Sequence, residues 1–168
     1  MKASTTILFC LVFAALLASG CDRATGGGRL EGANGRASFG FNGDGCDFPT
    51  SFKGELQYQD HNGGQKLHGE VTFARQCLVE GDCPVCDPLR IQLGFPLTLG
   101  DYEVSIDYDS TNPASPGSGT GTFCVTDNGE GAKAVDSDSA IIQLHSGPYA
   151  GYLNFGSIRG NVQQHKCN

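Results

Sequence analysis

The alternation of apolar and polar residues limits the fold of this chain more than any other feature. In residues 56–59 (LQYQ) and 102–108 (YEVSIDY) every second side chain is apolar, which is typical of strands with one buried face. Turn sequences such as residues 60–64 (DHNGG) separate about eight to ten such segments. Because short turns join antiparallel neighbours, we predict an all-β fold, a single antiparallel meander closing into a barrel-like or sandwich domain, with the barrel favoured.

The register of the meander assigns each side chain to a face. We expect the following residues on the buried face: Leu56, Tyr58, Val71, Phe73, Ile91, Leu93, Val104, Ile106 and Phe123. Charged residues of the same segments should face outward: Glu55, Glu70, Arg90, Glu103 and Asp107. Residues 89–99 are predicted to form a strand that bends at Pro96 or lies at an edge there. Outside the N-terminal segment, no helical periodicity stands out.

The first 20 residues have the pattern of an export signal. Lys2 gives a positive start, and residues 7–18 form an apolar core that is too short for a permanent membrane span. The core ends in residues 17–21 (LASGC), which resemble the lipobox of bacterial lipoproteins. That resemblance implies that Cys21 carries the lipid, becomes the first residue and anchors the protein to a membrane. Ordinary secretion is the alternative, because Ala18 stands where lipoproteins usually have Leu.

The chain is therefore divided into three parts. Residues 1–20 are predicted as a lipoprotein signal peptide, and residues 21–36 as the lipidated Cys with a flexible, Gly-rich tether. Residues 37–168 are predicted as a disulfide-stapled β-domain. We favour the outer membrane of the cell envelope and keep the inner membrane as the alternative, because Asp22 resembles an inner-membrane retention signal of enteric bacteria.

Four short motifs follow one another in a recognisable order: residues 39–42 (FGFN), 56–61 (LQYQDH), 125–131 (VTDNGEG) and 160–165 (GNVQQH). This order resembles a family of small exported bacterial β-modules without an established activity. The resemblance covers residues 37–165 and implies an exported β-domain. The additional cysteines and the stretch at residues 83–88 depart from that family, which has no known catalytic residues to carry over.

The cysteines indicate disulfide bonds. Of the eight Cys, Cys10 lies in the signal segment and Cys21 at its end, which leaves Cys46, Cys77, Cys83, Cys86, Cys124 and Cys167. Six Cys in an exported chain predict three disulfides, with fifteen pairings open. Cys83 and Cys86 form a CxxC motif, which could also serve redox chemistry or half of a zinc site. We favour structural disulfides, because no α/β pattern or obvious zinc partner accompanies the motif.

Acidic residues form the other candidate site. Asp101, Glu103, Asp107 and Asp109 share one face of a predicted strand, and carboxylate oxygens are the ligands that calcium prefers. Asp127 could contribute from a second element, so Asp107, Asp109 and Asp127 are the calcium candidates. The competing interpretation is a solvated strand face. Among the four His, none belongs to a nucleophilic or HExxH motif, and turn or surface hydrogen bonding is expected of them.

Function is predicted only in outline. The formal net charge of −7 and the lack of a Lys/Arg cluster argue against a nucleic-acid partner. We expect a non-enzymatic envelope lipoprotein without a cofactor, held to the membrane by its lipid and contacting an envelope protein in attachment, motility or secretion. The alternatives are an enzyme with its site in the barrel mouth and a calcium-dependent binding module.

Overall fold

The computed structural model of the protein describes residues 22–46, 52–77, 81–95, 101–128 and 138–167. The strands are β1 (Asp22–Gly32), β2 (Gly35–Asp44), β3 (Lys53–Asp60), β4 (Lys66–Cys77), β5 (Asp101–Ser110), β6 (Ser118–Thr126), β7 (Ser139–Leu144) and β8 (Leu153–Lys166). One helix, α1 (Cys86–Leu93), lies between β4 and β5, and a 3₁₀ turn (Gly147–Tyr149) lies between β7 and β8. Within these residues no helix is long and apolar enough to cross a bilayer.

The strands form a closed antiparallel barrel. Each strand pairs with the next one along the chain, and β8 pairs back with β1. This arrangement confirms the predicted all-β meander and selects the barrel over the sandwich. Closure leaves no unpaired edge among the described strands, and the protection of sheet edges was the reason for predicting a barrel or a sandwich.

The start of the domain differs from the prediction. The expected flexible tether, residues 21–36, is wrong for its described part, because β1 begins at Asp22 and β2 at Gly35. Strand β1 pairs with β2 on one side and with β8 on the other. Its glycines fit that position: a Cβ on Gly26 would lie 2.7 Å from the ring of Phe41. Residues 1–21, with the predicted signal peptide and Cys21, lie outside the described residues.

The barrel interior is filled by side chains. The inward positions of β3, β5 and β6 carry Leu56, Tyr58, Val104, Ile106 and Phe123, all buried as predicted. The ring of Phe123 lies 5.4 Å from that of Phe39 and 5.4 Å from that of Phe41. Burial of this aromatic and aliphatic surface is the main force that stabilises the domain.

A β-bulge corrects one core assignment. The pairing of β4 with β5 shifts between Val71 and Phe73, so Val71 faces the core and Phe73 does not. Phe73 instead packs against Phe52 on the outside, with ring centroids 5.1 Å apart, and the Arg75 guanidinium lies 4.4 Å from its ring. One extra residue in β4 is enough to move the following side chain to the other face.

Helix α1 corrects the prediction of a strand over residues 89–99, of which residues 96–100 lie outside the described part. Leu89 and Leu93 pack against the outer wall of the barrel, whereas Ile91 between them is exposed. A Leu–x–Ile–x–Leu sequence satisfies both periods, because positions four apart share a helix face and positions two apart share a strand face. Local alternation alone could not separate these two structures.

The three predicted disulfides are present, and the structure selects their pairing. Cys46 bonds to Cys167, Cys77 to Cys83, and Cys86 to Cys124. The first bridge joins the residues that follow β2 and β8. It therefore links the two neighbours of β1 beside the start of that strand. The other two attach α1 and the turn before it to β4 and β6.

Candidate functional site

Two outward-facing acidic residues of β5 are buried because α1 covers them. Asp101 and Glu103 point away from the barrel interior, as the alternation predicts, but the prediction that Glu103 and Arg90 are exposed is wrong. The Arg90 Nε lies 2.8 Å from Asp101 Oδ2, and both side chains are 1% exposed. Nη1 of Arg90 also donates to the Ser139 hydroxyl at 3.3 Å. This ion pair fixes α1 on the barrel wall.

Glu103 holds the other end of the same helix. Its Oε2 accepts the backbone N–H groups of Val85 at 2.8 Å and of Cys86 at 2.9 Å. A carboxylate is favourable there because the first N–H groups of a helix lack intrahelical partners and carry partial positive charge. Arg75 Nε lies 3.7 Å from Glu103 Oε1. The acidic face of β5 is thus split into a structural half under α1 and an exposed half, Asp107 and Asp109.

The calcium candidates are not brought together. Asp127 follows the end of β6 at Thr126, which pairs with Asp101 at the start of β5. Asp107 lies six residues further along β5, about 20 Å away at ~3.4 Å per residue. These three aspartates therefore cannot bind one ion.

Another set of carboxylates lies beside Asp107, and the sequence reasoning missed it. Glu55 pairs directly with Glu70, and Glu70 pairs directly with Asp107, on the outer faces of β3, β4 and β5. In the next row His68 pairs with Asp109. Pairing of the segments on either side of the turn at residues 60–64 with the strand at residues 102–108 would have revealed this acidic row, because its members were already assigned to the outer face. Like charges directly opposite one another destabilise a sheet.

A groove with mostly polar outward-facing side chains runs along the outer faces of β2, β3 and β4. It has a volume of about 660 Å³, and its outward-facing lining comprises Ser38, Gly40, Gln57, Gln59, Lys66, His68 and Thr111. Gly40 forms a flat floor, because a Cβ there would meet nothing within 4 Å. The lining offers amide, hydroxyl and imidazole groups to a partner, and the acidic row begins beside it at Glu70.

The mouth of the barrel opposite the disulfide-bearing end is closed by a polar network. The Tyr152 hydroxyl donates to Asp60 Oδ2 at 2.6 Å and lies 2.7 Å from the Tyr58 hydroxyl, to which the Asn154 amide donates at 3.0 Å. The backbone N–H groups of Asn62 and Gly63 donate to the other oxygen of Asp60. The buried polar groups of this network therefore form hydrogen bonds with one another.

The tyrosines of this network are held in their protonated form. Burial raises the pKa of Tyr58 to about 12, although its hydrogen bonds with Tyr152 and Asn154 oppose the shift. Burial, the hydrogen bond to Asp60 and the hydrogen bond with Tyr58 raise the pKa of Tyr152. Phenols with raised pKa values act as hydrogen-bond donors at neutral pH and make poor bases, so this arrangement favours structural closure of the mouth.

The CxxC motif does not form a local pair. Cys83 and Cys86 bond to different partners, Cys77 and Cys124, and all four are buried. Among the described residues, Cys77, Cys83 and Asp87 bring potential metal-ligand atoms within 4.8 Å of one another. The two sulfurs are already joined in a disulfide, and a metal ligand must be a thiolate. This geometry agrees with the structural interpretation of the motif.

A comparison of the chain with protein families, with curated proteins and with solved structures finds no match.

Proposed function

We propose that the protein is a lipid-anchored lipoprotein of the bacterial cell envelope whose barrel acts as a non-enzymatic binding or structural component. The lipobox-like sequence ending at Cys21 is the observation that carries the proposal. The fold supports it, since β1 begins with the very next residue and the domain contains three disulfides, as expected of an exported protein. Acyl chains on Cys21, palmitate among them, would then hold the barrel directly at the membrane surface.

A binding or structural role fits the distribution of polar groups. The interior of the barrel is packed, and the polar groups of its mouth are engaged with one another. The outer groove, in contrast, presents Gln57 and Gln59 as exposed side chains on a rigid sheet. We propose this groove as the contact surface for an envelope protein of an attachment, motility or secretion apparatus. The outer membrane is the favoured location, and Asp22 keeps the inner membrane as the alternative.

Lipidation is tested by mass spectrometry of the mature protein from its native membrane. We expect acyl mass on Cys21 as the first residue. Cys21→Ala should leave the protein uncleaved or exported without its lipid, because the thioether requires the thiol. A mature N-terminus at another residue, without acyl mass, would contradict the lipoprotein proposal.

The groove is tested by filling it. Gly40→Tyr places a ring over the groove floor, where a Cβ finds open space, and Ser157→Tyr adds the same ring at an exposed position on β8. Photo-crosslinking from Gln57 in intact envelopes should capture a partner protein that Gly40→Tyr loses and Ser157→Tyr retains. If both variants capture it equally, the contact surface lies elsewhere.

Calcium-dependent binding is the second candidate, and the cross-strand row of Glu55, Glu70 and Asp107 is the observation that favours it. Carboxylates on three neighbouring strands supply the second element that a single strand lacks. Calcium should then raise the melting temperature of the wild type and have no such effect on Glu70→Gln. An equal response of both proteins would exclude this row as the calcium site.

A further inference from the structure

Helix α1 differs from an ordinary surface helix in where it places its charged residues and one apolar residue, Ile91. The two charged residues of the helix, Asp87 and Arg90, are buried, whereas Ile91 is 61% exposed. A surface helix normally turns its charges to water and its apolar stripe to the core. A single exposed isoleucine would need no explanation, but here it accompanies the removal of every charge of the helix from the surface.

The exposed side of this segment is uncharged along its length. Pro84 precedes α1, Pro88 and Ile91 lie three residues apart on one face of the helix, and all three are exposed. The other exposed residues between positions 84 and 94 are Gln92 and Gly94. We call Pro84, Pro88 and Ile91 the outer α1 face.

The outer α1 face is presented rigidly. Disulfides join Cys83 and Cys86 to the barrel, Glu103 holds the first backbone N–H groups, and Arg90 pairs with Asp101. The helix therefore cannot turn over to bury Ile91 without breaking a buried ion pair and straining a covalent bond. Its orientation is a fixed property of the domain.

The position of α1 relates it to the N-terminus. Arg90 contacts the first residue of β5, and Cys86 is bonded two residues before the end of β6. In the antiparallel barrel these strand ends lie at the end where β1 starts at Asp22. Asp22, the first residue of β1, is therefore at the same end of the barrel as α1.

We propose that the outer α1 face rests on the lipid surface to which Cys21 is anchored and sets the orientation of the barrel. This inference rests on the proposed lipid anchor. Two prolines and one isoleucine are too few for a stable protein interface, which buries about 800 Å² per partner. An anchored domain needs only a small additional contact, since the anchor keeps the contact at high effective concentration. An uncharged apolar strip also suits a lipid surface better than it suits a polar protein surface.

The test uses the acylated mature protein, which contains no Trp. Ile91→Trp introduces a single fluorophore on the outer α1 face. Gln57→Trp introduces the matched control on β3, which lies opposite β7 in the closed order of strands, and Arg90 of α1 contacts Ser139 of β7. Each protein is reconstituted into phosphatidylcholine vesicles with and without brominated acyl chains. Emission from position 91 should shift to shorter wavelength and lose most of its intensity with brominated lipid, whereas position 57 should respond little.

The outcomes separate the two proposals. Acyl mass on Cys21 and flotation with the vesicles are measured first on the same samples, and their absence would overturn the anchor. If the anchored protein shows equal quenching at both positions, or none at position 91, the lipid contact of α1 is refuted while the anchor stands. A blue shift that depends on protein concentration without vesicles would assign the face to a second copy and also overturn the lipid contact.

Discussion

Replacing Arg90 by Met tests most sharply how α1 is attached to the barrel. The guanidinium lies 2.8 Å from Asp101, both groups are 1% exposed, and its removal leaves a carboxylate under the helix without its cation. Breaking a buried ion pair in this way costs about 3–5 kcal/mol. Asp101 retains the Thr126 hydroxyl as a donor at 2.5 Å, so we expect the lower part of that range, about 3 kcal/mol.

The assay is equilibrium unfolding in urea with the disulfides intact. Arg29→Met on β1 is the control, because the Arg29 side chain is 55% exposed and its loss should cost less than about 0.5 kcal/mol. The double variant Arg90→Met/Asp101→Asn should recover at least about 1 kcal/mol relative to the sum of the single variants, since the orphaned charge is also removed. A loss below about 1 kcal/mol for Arg90→Met, or full additivity, would refute the buried ion pair.

Three further predictions follow from the disulfides, the acidic row and the mouth of the barrel. Loops of 121, 38 and 6 residues predict that replacing Cys46–Cys167, Cys86–Cys124 or Cys77–Cys83 by Ser pairs costs about 5, 4 and 2 kcal/mol in urea unfolding, and the reverse order would contradict the loop argument. Without calcium, Glu70→Gln should stabilise the domain by about 0.2–1 kcal/mol, because it interrupts a row of like charges; a destabilised variant would show that the row contributes to the fold. The pKa of Tyr58 is about 12 in the folded protein and about 10 in the unfolded chain, so its contribution to stability is complete below pH ~10 and is lost as the pH rises towards 12. Tyr58→Phe should therefore reduce the fall in melting temperature between pH 9 and pH 11.5, and an unchanged fall would assign it to other groups.

The predicted register held where apolar side chains alternate without interruption. The buried assignments of Leu56, Tyr58, Val104, Ile106 and Phe123 follow from period-two alternation, and so do the exposed positions of Glu55 and Glu70. It failed at Phe73, because a bulge adds a residue without a local sequence mark. Residue patterns report the face of a strand but not the irregularities of its pairing.

Strand β1 and helix α1 were missed for a different reason. The Gly-rich residues 24–30 resemble a linker, yet in the barrel these glycines allow β1 to lie against β8, because a Cβ on Gly28 would lie 2.6 Å from the Arg159 carbonyl oxygen. Helix α1 depends on contacts with residues distant in sequence: Cys124, Asp101 and Glu103. Because tertiary contacts override local pattern at both places, composition and periodicity could not reveal them. The disulfide pairing likewise required the positions of the strand ends.

The barrel begins at Asp22, immediately after Cys21 in the sequence, and β1 is paired on both sides. Hydrogen exchange of the native protein, measured residue by residue, checks this start of the barrel. We predict that the hydrogen-bonded amides of residues 24–30 exchange as slowly as those of β5, because β1 is a central strand of a closed barrel. Exchange of those amides at the rate of an unfolded peptide, with β5 still protected, would support a flexible tether and contradict a barrel that begins at Asp22.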